Sequence, residues 1–572
     1  MNQLKPFLNR THVAYFSLEI ALRNDIPTYA GGLGVLAGDT LRTAADLELP
    51  LVAVTLISRR GYFRQAIDAE GHQTELPDPW TPESWLLPLD AKIAVPLSGH
   101  DVWVQAWLYV LEGDSGRKVP VILLDTDLTE NRPKDREITH DLYGRDDEYR
   151  LKQEAVLGIG GARMLRALGF RIQTYHMNEG HSALLALDLL RRYQIDDENP
   201  GTTEPVYDTA PVKERCLFTT HTPVEAGHDQ FSYELVERVL GDFIEMSQLQ
   251  QLGGRGRFNI TLLALHLSGY VNGVGKAHAE TSRTLYPGYR LHAITNGVYP
   301  GTWTHPSFRK LFESYIHDWR HEPELLVRAD QIPDEEIWSA HQQAKTELIN
   351  TVYERTRVRL DPELPIIGFS RRMTTYKRPD LLFSDLERLR AIAQKQPFQI
   401  VLAGKAHPRD MAGKLLIETL HNWLASLAAD IPAAFLPNYD MTLGLHMVSG
   451  SDIWLNTPLR PLEASGTSGM KAALNGVPSL SVRDGWWTEG CIEGVTGWAI
   501  GDDATPDTNG VDADSLYDKL EHTVLPLYYQ DRAGWIRVMK GAIAKNGSVF
   551  NSFRMMRRYA AEAYLRREGS FL

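Results

Sequence analysis

The sequence is poor in cysteine and has no long apolar segment. Among 572 residues only Cys216 and Cys491 are cysteines, and neither belongs to a Cys-x-x-Cys pair or to a His/Cys ligand spacing. This excludes a disulfide framework and a structural zinc site, and no metal site is predicted. The first residues lack the continuous apolar core of a signal peptide, and no later stretch approaches the length of a membrane span. We expect a cytoplasmic protein with no membrane partner.

Basic residues are also in deficit. Lys and Arg together number 60 against 73 Asp and Glu, which gives a formal net charge of -13. A surface of this sign repels phosphate backbones and anionic lipid, so we expect no nucleic-acid partner. Any anionic ligand must be bound by a local cluster of basic side chains or by backbone amides.

What is present is typical of a folded globular protein. Hydrophobic residues make up 43% and charged residues 23% of the chain, which argues against disordered, fibrous and membrane classes. A chain of 572 residues is too long for one ordinary hydrophobic core, so two or more domains are expected.

Apolar runs rich in β-branched and aromatic residues predict buried strands. In the first half these are HVAYFSLEI, PLVAVTLIS, VPVILLDTD, RCLFTTHT and LHAITNGV, and in the second LPIIGFS, FQIVLAG, AAFLP, SDIWLN and VPSLSV. Helical patterns such as DDEYRLKQEAVLGIGGARMLRALGF separate them. Alternating strands and helices predict an α/β fold.

The pattern divides the chain into two similar α/β halves. A charged, mostly helical stretch from about Pro306 to Pro362 connects them. We predict two domains, residues 1–330 and 331–572, with the amphipathic last helix packing back on the first domain.

One segment, EASGTSGMKAALNG (Glu463–Gly476), leads from a run of small residues into Lys471. It follows a predicted strand and opens a predicted helix, a geometry that directs free backbone amides at an anion. Met470 and Ala472 exclude a Walker nucleotide loop. Lys471 could be a point charge on a bound phosphate or the amine of a Schiff base with pyridoxal phosphate. A tight turn with a solvated lysine is the simplest alternative.

A second basic element, FSRRMTTYKRPDLLF, follows directly on the predicted strand LPIIGFS. It carries four cations: Arg371, Arg372, Lys377 and Arg378. Loops beyond the carboxyl ends of strands are where open α/β sheets bind ligands. In an acidic protein such a cluster favours an anion site, although a surface charge run is the commoner explanation. The two loops together favour a bound phosphate.

Weaker signals lie in the first half. TYAGGLGVLAGD places a Gly-Gly-Leu-Gly turn, with Gly32 and Leu33, before a helix. His181 and His221 lie near predicted strand ends, each beside Glu or Asn that can bind sugar hydroxyls. Tryptophans offer flat faces for sugar or cofactor rings, or simply core packing: these are Trp303, Trp486 and Trp487.

Taken in chain order, these motifs resemble those of one family. They are YAGGLGVLAGD, NEGHSAL, THTPVEAGHDQF, VNGVGKAHAE, TNGVYPGTW, FSRRMTTYKRP, LAGKAHP, LPNYDMTLG and EASGTSGMKAALNG. The chain is identified as a member of the α-glucan (glycogen and maltodextrin) phosphorylase family, on its shorter, prokaryotic-type branch. The resemblance runs from about residue 13 to beyond residue 490.

The resemblance implies a glycosyltransferase-B fold, in which two Rossmann-like domains face each other across a cleft. It implies pyridoxal 5'-phosphate on Lys471, with the amides of Gly466 and Thr467 and the side chain of Arg371 on the cofactor phosphate. Trp303 is assigned to the same pocket. Family members are commonly dimers, so a homodimer is possible.

The resemblance also implies the reaction. Inorganic phosphate attacks the terminal glucosyl residue of an α-1,4-glucan such as glycogen or maltodextrin and releases α-glucose 1-phosphate with retention. Arg372 and Lys377 match the ligands of the substrate phosphate, and His221 matches a histidine that contacts the glucosyl residue. The remaining assignments are substrate contacts: Gly32, Leu33, His181, Asn296, Glu463, Ala464 and Ser465.

The sequence departs from long phosphorylases at two places. Thr374 and Thr375 replace His-Glu, and Ser468 and Gly469 replace Gly-Asn. The stretch TPLRPLEASGT is similar to the donor loop of glycogen synthases. Two alternatives are therefore a nucleotide-sugar-dependent glucan synthase of the same fold, which leaves Lys471 without a specific task, and a non-catalytic glucan-binding homologue, which has no need of a phosphate cluster.

Overall fold

The structure is a computed structural model, and it describes residues 3–144, 146–195, 207–224, 227–501 and 509–565. Within these ranges the chain forms two large sheets. The strands of the first lie between residues 13 and 293, and those of the second between residues 366 and 500. No helix in the described ranges is both long and apolar enough to cross a lipid bilayer.

The first sheet has nine strands in the order β13-β12-β9-β8-β1-β2-β7-β6-β5. They are β1 (Val13–Phe16), β2 (Leu51–Leu56), β5 (Leu87–Leu97), β6 (His100–Glu112), β7 (Lys118–Asp125), β8 (Thr174–Asn178), β9 (Cys216–Thr219), β12 (Tyr270–Gly273) and β13 (Leu291–Ala293). All pairs from β13 to β7 are parallel, whereas β5 and β6 continue the sheet as an antiparallel hairpin. Two small ladders complete this half: β3 (Arg64–Ile67) with β4 (Gln73–Leu76), and β10 (Gln230–Phe231) with β11 (Phe258–Asn259).

The second sheet has six parallel strands in the order β16-β15-β14-β17-β18-β19. They are β14 (Ile366–Ser370), β15 (Gln399–Ala403), β16 (Ala433–Leu436), β17 (Ile453–Asn456), β18 (Ser479–Val482) and β19 (Gly497–Ile500). β14 and β17 are neighbours, so the loops that follow them emerge at the same edge of the sheet. These two loops carry the basic cluster and the small-residue segment.

Helices cover the sheets. In the first half they are α1 (Lys5–Leu8), α2 (Gly32–Asp46), α3 (Pro133–Arg136), α4 (Asp147–Ala155), α5 (Gly161–Ala167), α6 (Leu185–Leu190), α7 (Ala210–Arg215), α8 (Tyr233–Leu240), α9 (Met246–Gly253), α10 (Ile260–His266), α11 (Lys276–Leu285) and α12 (Pro300–Trp303). The connecting stretch and second half contain α13 (Pro306–Tyr315), α14 (Asp334–Thr356), α15 (Leu386–Lys395), α16 (Met411–Leu427), α17 (Met441–Gly450), α18 (Ser468–Leu474), α19 (Trp487–Gly490), α20 (Asn509–Lys519), α21 (Leu525–Gln530), α22 (Arg532–Gly541) and α23 (Ser552–Tyr559). The mixed α/β architecture expected from the sequence is confirmed.

The C-terminal helix α23 packs against the first sheet. Met555, Met556 and Tyr559 share one apolar cluster with Val13 of β1 and Leu51 of β2. The Tyr559 hydroxyl also forms hydrogen bonds with Thr219 (3.1 Å) and Asn272 (2.9 Å). The end of the chain therefore returns from the second sheet to the first.

Each of the ten apolar runs contains a strand, but the β5–β6 hairpin was not predicted. Its strands alternate buried and accessible positions around a turn at Ser98 and Gly99, both with positive φ. The alternation is clearest in β5 and at the start of β6, whereas residues 106–111 of β6, AWLYVL, form a continuous apolar run that the strand prediction did not use. Trp486 and Trp487 are core residues, 2% and 0% exposed, and their rings pack against each other with centroids 5.1 Å apart.

Candidate active site

The small-residue segment forms a tight passage from β17 into α18. Gly466 has φ +79°, a left-handed conformation that glycine adopts without strain. A Cβ on Gly469 would lie 2.6 Å from the ring of Trp486, so only glycine lets the helix approach that core tryptophan. Thr467 is the N-cap of α18 and Lys471 is its fourth residue. The small residues thus place first-turn amides and a buried lysine side by side.

The amine of Lys471 is buried against the ring of Trp303. Lys471 is 5% exposed, and its Nζ lies 3.7 Å from the centroid of the Trp303 ring, a cation–π contact. Burial lowers the pKa of Lys471 to about 8; Asp39 opposes this shift and Arg371 adds to it. A lysine of this kind carries far more neutral, nucleophilic amine at neutral pH than a surface lysine does.

Three of the four cations in the basic loop have carboxylate partners. Oε2 of Glu463 accepts hydrogen bonds from Arg371 Nη2 at 2.7 Å and from Lys377 Nζ at 2.5 Å. Arg378 donates instead to Asp512 at 2.6 Å and to the carbonyl of Pro458. Arg378 is thus a structural residue that ties the loop to α20.

Arg372 is the one cation of the basic loop with no carboxylate partner among the described residues. In the part of the chain that the structure describes, it has neither an ion pair nor a hydrogen bond. Its Nη2 lies 3.3 Å from the point that a Cβ on Gly31 would occupy. A guanidinium from the second half therefore approaches the glycine turn of the first half, and any side chain at Gly31 would crowd it.

The glycine turn is held by Glu19, which sequence reasoning missed. Glu19 Oε2 accepts the amides of Ala30 (2.6 Å) and Gly31 (3.1 Å), and Oε1 accepts the hydroxyl of Tyr143 (2.6 Å). Gly32 is the first residue of α2 and Leu33 the second. Their amides belong to the first helical turn, where no intrahelical acceptor exists, so they remain available to an anion.

The loop that carries Glu463 is anchored from β18. Asp484 accepts the amide of Glu463 at 2.8 Å, and the Trp486 amide donates to the carbonyl of Ser465 at 2.8 Å. Burial raises the pKa of Asp484 to about 6, although the amides of Glu463 and Gly485 oppose that shift. The Ala464 carbonyl lies 3.3 Å from the Cβ position of Gly275, in the first half.

Two buried polar atoms near this loop have no partner among the described residues. They are Oγ of Ser465 and Oδ1 of Asn296, in residues that are 5% and 3% exposed. A buried polar atom without a partner costs about 1–3 kcal/mol, so such atoms usually mark a place where a ligand or water completes the bonding. The backbone of Asn296 is fixed, because Arg554 of α23 donates to the carbonyls of Thr295 (2.7 Å) and Asn296 (2.8 Å).

His221 and His181 lie at the carboxyl edge of the first sheet. The amide of His221 donates to Glu179 at 2.8 Å, and its Nε2 lies 2.7 Å from Oδ1 of Asn178. Burial lowers the pKa of His221 to about 3, helped by His278 and His181. This imidazole is therefore neutral at physiological pH and is held as a hydrogen-bonding group.

His181 belongs to a charged cluster behind His221. Its Nε2 lies 3.6 Å from Asp229, whose carboxylate also receives Arg150 at 2.9 Å. Burial, together with Arg150, lowers the pKa of His181 to about 3. Its ring meets Tyr143 edge-on at 5.9 Å. Tyr143 therefore joins this cluster to Glu19 and the glycine turn.

The candidate residues thus form two groups. Around Glu463 and Trp303 the structure assembles Arg371, Lys377, Ser465, Gly466, Thr467 and Lys471, with Arg372 facing the glycine turn. His181 and His221 form the second group, along the first sheet. Sequence reasoning missed Glu19, Tyr143, Asp39 and Asp484. The available signal was a polar residue inside an apolar pattern, as at Asp39 in VLAGDTL.

The profile of the carbohydrate phosphorylase family matches residues 228–490. A maltodextrin phosphorylase from Thermococcus litoralis is 41% identical, over 96% of this chain and 70% of its own length. The chain belongs to the carbohydrate phosphorylase family.

Other phosphorylases show the same relationship. Glycogen phosphorylases from Mycobacterium tuberculosis and Aquifex aeolicus are each 36% identical, over 98% and 97% of this chain and over 71% and 87% of their own lengths. The family expected from the sequence motifs is therefore confirmed. These relatives support a phosphorylase, an enzyme of carbohydrate metabolism, over the nucleotide-sugar synthase and the non-catalytic homologue.

Proposed function

We propose that this phosphorylase transfers the terminal glucosyl residue of an α-1,4-glucan, glycogen or maltodextrin, to inorganic phosphate and releases α-glucose 1-phosphate. The supporting observation is the Arg372 guanidinium, which has no carboxylate partner in the described ranges and approaches the glycine turn at Gly31. An unpaired cation held against backbone amides suits a phosphate ligand.

Substrate phosphate is bound from both halves of the chain. Arg372 supplies a fork of donors, and the first-turn amides of Gly32 and Leu33 in α2 supply neutral donors opposite it. Lys377 adds a second charge, and Glu463 fixes its position. In the reaction a phosphate oxygen bonds the anomeric carbon, the glycosidic bond breaks, and the phosphate proton passes to the departing glucan oxygen. The cations stabilise the negative charge that remains on phosphate.

The glucosyl residue is bound by neutral groups and one carboxylate. Its hydroxyls complete the bonding of Asn296 Oδ1 and Ser465 Oγ, which have no partner in the described part of the chain. The Glu463 carboxylate accepts hydrogen bonds from the sugar hydroxyls, and the backbone of Ala464 lies beside it. His221, with an imidazole that burial keeps neutral, contacts the sugar as a hydrogen-bonding group, and His181 lines the cleft behind it.

The residues around Lys471 fit pyridoxal phosphate. The group needs a nucleophilic amine, a flat wall and donors for an anion, and Lys471, Trp303 and the Gly466–Thr467 amides provide them. Arg371, fixed by Glu463 and Asn456, adds a positive charge beside the lysine. When bound, pyridoxal phosphate supplies a second phosphate group that exchanges a proton with substrate phosphate.

We further infer that the two sheets are the cores of two Rossmann-like domains of a glycosyltransferase-B fold. The support is that their strands occupy separate ranges, 13–293 and 366–500. A division near residue 330 gives domains of residues 1–330 and 331–572, with α23 packed on the first. Homodimer formation and a cytoplasmic location stay predictions.

The test is release of glucose 1-phosphate from maltoheptaose by the purified protein supplied with pyridoxal phosphate, with and without inorganic phosphate. Phosphate-dependent release is expected. Folded, cofactor-loaded protein that releases none, but elongates maltoheptaose from a nucleotide sugar, would contradict the proposal. Borohydride reduction followed by peptide mapping should place the cofactor on Lys471, and an adduct on any other lysine would refute that assignment.

A further inference from the structure

A buried carboxylate, Asp39, contacts the Trp303 indole that packs on Lys471; it ends the motif YAGGLGVLAGD, and the proposed reaction gives it no role. Asp39 lies in α2, is 1% exposed, and comes from the first half of the chain. Its Oδ2 accepts the indole N–H of Trp303 at 2.8 Å. The face of that same indole lies 3.7 Å from Lys471 Nζ. Carboxylate, indole and amine therefore form a continuous chain of contacts across the two halves.

This arrangement differs from an ordinary buried ion pair. In the described part of the chain no carboxylate forms an ion pair with Lys471. Glu463, by contrast, directly contacts both of its cations. Asp39 acts on the amine at a distance, through the field of its charge and through the orientation of the indole. In a dry interior both effects are stronger than in water.

The burial of Asp39 has an energetic cost. Burial raises the pKa of Asp39 to about 6, and Lys471 and Arg42 oppose that shift, as do the Tyr299 backbone and the Trp303 indole. Arg42 itself donates to the carbonyls of Ala21 (3.2 Å) and Leu22 (2.6 Å). An apolar residue at this position would avoid the cost of desolvating a carboxylate. We therefore expect the charge of Asp39 to have a function.

We propose that Asp39 is a positioning residue for Lys471: it holds the Trp303 indole against the amine, and its negative charge sets the protonation state of that amine. The inference rests on the proposed role of Lys471 in holding pyridoxal phosphate. Two consequences are separable. The charge determines how much of the amine is neutral at a given pH, and the hydrogen bond determines whether the indole face stays in place.

Two substitutions separate these effects. Asp39→Asn removes the charge but keeps an oxygen that can accept the indole N–H. Asp39→Ala removes both. The matched control is Asp46→Asn, a second buried carboxylate of α2 that accepts the Tyr299 hydroxyl at 2.6 Å and the Ser115 side chain at 2.7 Å. Circular dichroism and thermal melting establish that each full-length variant is folded.

The first measurement is competitive labelling of the cofactor-free chain with trace acetic anhydride between pH 5 and 10, with labelling at Lys471 read by peptide mass spectrometry. Losing a nearby negative charge destabilises an ammonium ion, so Asp39→Asn should lower the labelling midpoint by on the order of one pH unit. Asp46→Asn should leave it unchanged. An Asp39→Asn midpoint that coincides with the wild-type midpoint would refute the electrostatic role.

The second measurement is binding of pyridoxal phosphate to the cofactor-free chain, followed by the absorbance of the bound group. Asp39→Asn should bind it about fivefold faster at pH 7, because a midpoint one unit lower raises the neutral fraction by that factor. Asp39→Ala should weaken binding about tenfold, the value of one buried hydrogen bond. Binding by Asp39→Ala as tight as that of Asp46→Asn would refute the positioning role.

The outcomes also distinguish failure of this inference from failure of the proposed function. Labelling requires no cofactor. If the Asp39→Asn midpoint shifts but wild-type protein takes up no pyridoxal phosphate at Lys471, the coupling stands and the cofactor assignment is wrong. If wild-type protein takes it up and Asp39→Asn shifts neither midpoint nor rate, the cofactor assignment stands and the electrostatic role is wrong.

Discussion

The two walls of the candidate site differ in charge: the second half supplies the cations, whereas the carboxylates of the first half, Glu19 and Asp39, bond to groups within that half. The second half contributes Arg371, Arg372, Lys377 and Lys471. The first half contributes Asn296, amides of the glycine turn, and His221, whose pKa burial lowers to about 3. Charge is therefore concentrated where a phosphate would be held, and the sugar would meet mainly neutral groups.

The comparison bears on how an acidic protein would bind the two phosphate groups of the proposed reaction. The net charge of -13 gives no general attraction for phosphate. The protein instead gathers cations in one loop and pairs two of them with a single carboxylate, Glu463, which leaves a net positive charge there. Arg372 forms no ion pair with a carboxylate in the described ranges, so its guanidinium donors are available to a ligand.

The largest expected effect is that of Lys471→Ala, which removes the amine from the charged wall. Without it, pyridoxal phosphate should not be retained, and phosphate-dependent release should fall by on the order of 10²- to 10⁴-fold, the usual contribution of a positioned proton donor and acceptor. Cofactor content by absorbance and glucose 1-phosphate release measure both effects. Retained cofactor with normal turnover would show that the amine is not the attachment point.

Arg372→Ala should lower kcat/KM for phosphate by about 10²- to 10³-fold, the cost of removing one donor to a developing charge. The maltoheptaose KM should change much less, because the sugar is bound by the other groups. Arg388→Ala, a surface arginine paired with Asp518, is the matched control. Equal losses for both substrates would contradict the assignment of Arg372 to phosphate.

A stability measurement tests the charge at Asp39. Its pKa is raised by burial from 3.8 to about 6 in the folded chain, so the folded state binds more protons than the unfolded state between these values. The contribution of Asp39 to the free energy of unfolding is therefore greatest below pH 4. It falls by roughly 2–3 kcal/mol as the pH rises through 6. Asp39→Asn should remove that loss, so its melting temperature should exceed that of wild type at pH 8 but not at pH 4. Parallel melting curves at both pH values would contradict this.

The smallest expected effect belongs to the neutral wall. Asn296→Ala removes one uncharged hydrogen bond to the sugar, so KM for maltoheptaose should rise about 3- to 10-fold. The KM for phosphate should stay within twofold of the wild-type value, which serves as the internal control. A comparable rise in the phosphate KM would contradict the assignment of Asn296 to the sugar.

Much of the fold could be predicted because the parallel strands are continuous apolar runs, as in LPIIGFS and SDIWLN. The β5–β6 hairpin was missed although β6 contains the apolar run AWLYVL; only β5 and the start of β6 show the alternation of a half-exposed strand. Motifs indicated Lys471, Arg372 and Glu463, since they lie in short, distinctive segments. Glu19 lies in no such segment, and Asp39, although it ends the motif YAGGLGVLAGD, was assigned no role, because the roles of both depend on contacts with residues 12 and 264 positions away. Local patterns carry no information about such pairings.

Arg554 has a consequence for the biosynthesis of the enzyme. Its guanidinium holds the carbonyls of Thr295 and Asn296 from 258 or more residues further along the chain. While the ribosome is still translating the second half, the turn at Asn296, proposed to bind the sugar, lacks the arginine that fixes its carbonyls. Catalytic competence should therefore arise only once α23 has been synthesised, and a nascent chain arrested before it should not degrade glucan.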